Sequence, residues 1–101
     1  MRLIEKLNDK IAEEIQDAKC YATMALEYKD QKQLADTLYQ LSNEEMRHMN
    51  LLHGEVVRII EDYRKKNGEP PKEMLAVYEY LHKKHIEAAA EVKTLHALYK
   101  E

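Results

Sequence analysis

Residues 2 to 66 contain one glycine, Gly54, and no proline. Strands and turns depend on these breakers, so a stretch this long without them reads as helix. It is also too long for one ordinary helix. The first clear break is Asn67-Gly68-Glu69-Pro70-Pro71, where glycine closes one helix and proline opens the next. Hydrophobic residues make up 45% of the chain and charged residues 35%, with neither Trp nor Phe. That composition fits an all-α protein.

The phase of the apolar residues shows where the long stretch divides. At about 100° per residue, Ile4, Leu7, Ile11, Ile15, Ala18, Ala22 and Ala25 share one face. Leu34, Leu38, Leu41, Leu52, Val56, Ile59 and Tyr63 share another. In one continuous helix the two stripes would lie roughly half a turn apart. The chain therefore turns near Asp30, and Asp30 with Gln33 resembles a capping box. The third helix is expected to place Met74, Val77, Tyr78, Leu81, His85, Ala88, Val92, Leu95 and Tyr99 along its buried side. The predicted architecture is a single all-α domain, residues 1–101, of three long antiparallel helices. They run over about 2–29, 31–66 and 71–99.

Several classes of function are set aside at once. The net charge is -3 with basic residues scattered, so no nucleic-acid partner is expected. No apolar run reaches membrane-spanning length and no signal peptide is visible, so no membrane partner and a cytoplasmic location are the expectations. Cys20 is the one cysteine. It cannot form an internal disulfide and reads as a small side chain.

The second helix breaks its own pattern. Glu45 falls at the centre of the apolar stripe, between Leu41 and Leu52, and His48 lies at the stripe's edge. On the first helix Glu14 falls within the stripe, between Ile11 and Ala18. A buried ionised carboxylate is costly unless it is paired or bound to a cation. Glu14 is 16 residues before Asp30 and Glu45 is 15 after it, so an antiparallel hairpin brings both to one height. Two inward carboxylates with an imidazole one turn away suit a first-row metal. Tyr21, two turns from Glu14, lies on the same side.

Glu14, Tyr21 and the run Glu44-Glu45-Met46-Arg47-His48 resemble the first half of the ferritin-like di-iron carboxylate proteins. Bacterioferritins, rubrerythrins and encapsulated ferritins belong to that superfamily. There one Glu comes from one helix, a Glu-x-x-His pair from the next, and a tyrosine often follows the first Glu by seven residues. The likeness covers roughly residues 10 to 60. It implies iron as cofactor, as a di-iron pair with manganese or zinc as alternatives. Glu14, Glu45 and His48 would be the metal ligands, with Tyr21 beside them. It also implies oxidation of ferrous iron by oxygen or peroxide, serving iron storage or oxidant protection. The chain carries one half-set of ligands. The resemblance to encapsulated ferritins therefore implies a homodimer, or a ring of dimers, that completes the half-bundle. Two other readings compete: a non-catalytic helical dimerisation or interaction module, and a structural metal-binding bundle.

The other polar residues take plainer readings. Glu79 with His82 repeats the Glu-x-x-His spacing, but Glu79 points roughly 110° from its helix's apolar centre, as a surface coincidence would. His53, His82 and His85 are expected near one level. They read as partly exposed or hydrogen-bonded structural histidines, with a second metal site as the alternative. His96 falls near the height of Glu45 and is an extra ligand candidate. Glu91 is close in height but points aside.

Overall fold

The computed structural model describes residues 2–101. Helix α1 spans Arg2–Glu27, α2 Lys32–Asn67 and α3 Lys72–Lys100. Each boundary lies within two residues of its sequence expectation. A helix of 36 residues is about 54 Å long, and α2 accounts for the molecule's long dimension of 55 Å.

The first turn differs from expectation. Helix α2 begins on Gln31 as its N-cap, without a side-chain cap bond, so Asp30 does not form the capping box. Backbone bonds close the turn instead. The Gln31 amide donates to the Tyr28 carbonyl and the Ala35 amide to the Gln31 carbonyl, each at 2.9 Å. The second break is as expected. Gly68 sits at φ 79°, a conformation that favours glycine, and its amide donates to the Arg64 carbonyl at 2.9 Å. Arg64, Lys65 and Lys66 occupy the last turn, where cations offset the helix dipole.

The core runs along α1. Ile4, Ile11, Ile15, Ala18, Ala22 and Ala25 are all buried, each on the expected stripe. The small residues let α2 approach closely enough for Ser42 Oγ to donate to the Ala18 carbonyl at 2.6 Å. Helix α3 runs parallel to α1 and buries Ala89 and Val92 against it. Helices α2 and α3 are antiparallel but diverge, and meet mostly through long side chains. Near the first turn, Tyr39 stacks on Tyr99 with ring centroids 4.8 Å apart, and the Tyr99 hydroxyl donates to Asp36. That bond holds the Tyr99 phenol in its protonated form, pushing it up to about 12.

Two positions depart from the expected faces. Val77 on α3 is 54% exposed and Leu34 on α2 is 42% exposed. On α2 the buried residues are Ala35, Leu38, Ser42, Met46 and Val56, a stripe turned roughly 60° from the leucines. Helix α2 must serve α1 and α3 together, so Leu38 and Val56 stay buried from the expected stripe while Ala35, Ser42 and Met46 join them. Leu34, Leu41, Leu52 and Ile59 are left at the edge of the bundle. No described helix is long and apolar enough to cross a membrane.

Ile11→Ala should destabilise the fold by about 2–5 kcal/mol, because Ile11 is 1% exposed. Gly54→Ala should stabilise it by roughly 0.5–1 kcal/mol. Gly54 is exposed inside α2, and an added Cβ meets no atom within 4 Å. Thermal denaturation of both variants checks the two signs.

Candidate metal centre

The hairpin brings Glu14, Glu45 and His48 together. One ligand atom from each lies within 4.8 Å of the other two. His48 Nδ1 is 3.6 Å from a Glu14 oxygen and 3.8 Å from a Glu45 oxygen. Both separations are too long for hydrogen bonds. Two ligands each about 2.1 Å from an ion in tetrahedral geometry stand roughly 3.4 Å apart. The observed spacings are within a few tenths of an ångström of that figure, so the donor set fits a divalent cation.

The surroundings make the two carboxylates unusual. Their side chains are 16% and 19% exposed. Among the described residues, no lysine or arginine forms an ion pair with either. Lys10 pairs with Glu13 at 3.1 Å, and Lys19 with Glu91 at 2.9 Å. The imidazole is the open side of the group, 44% exposed.

Tyr21 is half-buried on the same edge of α1 and makes no hydrogen bond to Glu14 or Glu45 among the described residues. The site sits on a seam. Leu3, Leu7, Glu14 and Tyr21 follow one line on α1, which Tyr28 continues into the turn; Leu34, Leu41, Glu45, His48, Leu52 and Ile59 follow the facing line on α2. Leu3 is 52% exposed and Tyr28 40%, while Leu41, Leu52 and Ile59 are half-buried.

No group from α3 enters this site. Glu91 is held by Lys19 on another face of α1. His96 Nε2 lies 2.7 Å from Ser42 Oγ instead. The single proton of that hydroxyl already goes to the Ala18 carbonyl, so His96 Nε2–H donates and Ser42 accepts. Tyr39 packs edge-on against the same ring, with centroids 5.0 Å apart.

The sequence reading missed one polar position. Asn8 is 8% exposed within the apolar stripe of α1, and its Nδ2 has no partner. The Tyr78 hydroxyl is also buried without one. Asn8 was legible in principle, since it lies four residues after Ile4 and three before Ile11. Glu79 is exposed, as expected, but His82 is not idle: its Nδ1 lies 3.0 Å from His53 Nε2. Comparison with protein-family models, with curated proteins and with solved structures finds no match to this chain.

Burial, and then Lys100 nearby, hold the His96 imidazole below its ordinary value. The native state therefore favours neutral His96, and the unfolded chain takes up the proton first. That stability is present above about pH 6.5 and is lost as the pH falls below it. The melting temperature should drop between pH 7.5 and 5.5, and His96→Gln should make the drop shallower. An unchanged slope in the variant would contradict the assignment.

Proposed function

We propose that the chain is a ferritin-like half-bundle that binds and oxidises ferrous iron, and that Glu14, Glu45 and His48 are its ligands. The observation that supports this reading is the convergence of two nearly buried, cation-free carboxylates and one imidazole. His48 Nδ1 stands beside both carboxylates, 3.6 Å from Glu14 and 3.8 Å from Glu45, and supplies the imidazole donor of the set. Carboxylates and imidazole together suit ferrous iron and neighbouring first-row ions. Iron is the substrate here: each ferrous ion gives up one electron to oxygen or peroxide. Tyr21 stands near enough along α1 to steady a ligand carboxylate or pass an electron.

The reading includes a second copy of the chain. One chain offers two carboxylates and one imidazole; a two-fold pair offers four and two, the complement of a di-iron site. Four carboxylates also balance the charge of two divalent ions. The partly covered seam supports the same pairing, since docking a second seam against it would bury Leu3, Tyr28 and Leu34 around the site. Whether the iron is stored or the oxidant removed follows from what turns over, not from the ligands. The seam equally suits a non-catalytic dimerisation module, and the ligand set equally suits a structural zinc or manganese bundle. Turnover separates both from the proposal.

In anaerobic titration wild type should bind ferrous iron and Glu45→Ala should not; equal stoichiometry would remove Glu45 from the site. In air, the protein should speed iron oxidation over buffer, His48→Ala should lose most of that gain and Cys20→Ser should keep it. Wild type no faster than buffer would leave the two non-catalytic readings.

Assembly is tested by sedimentation with and without ferrous iron. A ligand that binds only the dimer shifts the equilibrium toward it, so mass should rise with iron. A strict monomer that binds two irons would defeat the paired site.

A further inference from the structure

Helices α2 and α3 leave a cavity of about 470 Å³ beside α1. Asn8 of α1, His53 and Val56 of α2, and Tyr78, His82 and His85 of α3 line it. His53 Nε2 and His82 Nδ1 lie 3.0 Å apart on stacked rings, whose centroids are 4.6 Å apart and whose planes differ by 27°. His85 follows His82 by three residues, so it is a neighbour on the same side of α3. We propose that His53 Nε2 and His82 Nδ1, with His85 as third ligand, form a zinc site separate from the carboxylate centre.

Three observations carry it. First, two nitrogens on one zinc ion, each about 2.05 Å away, stand roughly 3.3 Å apart. The observed separation needs an opening of a few tenths of an ångström, and the stacked rings must turn so that their in-plane lone pairs meet on the ion. Second, the donor set is all imidazole, which suits zinc, whereas the carboxylate centre is rich in oxygen. Burial first, and then the neighbouring histidines, hold the His53 and His85 imidazoles below their ordinary value, which favours the neutral, ligating ring. Third, Asn8 Nδ2 is a buried donor without an acceptor in the wall of the same cavity. A water completing the coordination of zinc would offer one. The three rings are not yet gathered on one point, so His85 joins by side-chain rotation within the cavity.

Protons balance without loss. In the apo protein one of the two facing nitrogens carries the hydrogen that bridges them. When zinc binds, that hydrogen moves to the far nitrogen of the same ring, and both rings stay neutral.

The test uses tag-free protein, zinc chloride and the Glu45→Gln variant, which removes the carboxylate centre. Calorimetry should show one zinc per chain in Glu45→Gln and none in Glu45→Gln/His82→Ala. His82 is exposed, so its removal should leave the helical circular dichroism intact. Adding His85→Ala instead should weaken binding tenfold or more. Long-range nitrogen–proton NMR should report zinc at His53 Nε2 and His82 Nδ1. No zinc uptake by Glu45→Gln, uptake unaffected by His82→Ala, or zinc at the opposite ring nitrogens would each overturn the proposal. None of these outcomes bears on iron oxidation at Glu14, Glu45 and His48.

Discussion

The apolar stripe of α1 is the one surface that both other helices bury, and the rest of the molecule follows from it. Helix α2 takes one flank of Ile4, Ile11, Ile15 and Ala18, and α3 takes the other. Two helices suffice to bury that stripe, but three helices leave openings on either side of it. Where α2 and α3 part, a cleft opens; beyond the contact of α1 with α2, a seam is left. The two sites described here occupy those two openings. Both are therefore by-products of packing geometry before they are chemistry.

The seam explains how two carboxylates are tolerated in it. Two like charges within 4.8 Å repel by on the order of 3 kcal/mol at an effective dielectric of about 20, and among the described residues no lysine or arginine forms an ion pair with either. Such a pair is a local cost to the fold. It persists at the bundle's edge because the edge still reaches water through His48. Buried deeper, the same pair would be protonated or excluded. Exposed further, it would lose its hold on a cation to solvent and salt.

Much of the fold was legible because helix phase is a local property. The breakers gave the second turn, and the half-turn offset between the stripes of α1 and α2 gave the first. The convergence of Glu14, Glu45 and His48 was legible for the same reason: equal spacing from a turn sets height, and phase sets face. What escaped was set by the third helix. Leu34 and Val77 are exposed because a helix contacting two neighbours buries the bisector of both contacts, which no single stripe encodes. His96 was placed at the right height but on the wrong partner. Ser42, small enough to admit α3, turns that ring away from Glu45 and holds it. Asn8 was hidden by its apolar neighbours, whose regular spacing drew attention to the stripe and away from its one amide.

The mismatch of helix lengths shapes the Gly68 end of the molecule. Ser42 meets Ala18, so the start of α1 lies beside the residues of α2 near Arg58, and α2 runs on to Asn67. Over that overhang α2 has only α3 to pack against. Pro71 cannot extend α3 backward to fill the gap, and α3 enters with Leu75 and Tyr78, both half-buried. Along α2, His48 and His53 are five residues apart, which is about 7.5 Å of rise and roughly 140° of rotation. One imidazole faces the oxygen-rich seam and the other the nitrogen-rich cleft. A single helix thus presents two donor sets of different hardness on different faces, too far apart in angle for one ion to draw on both.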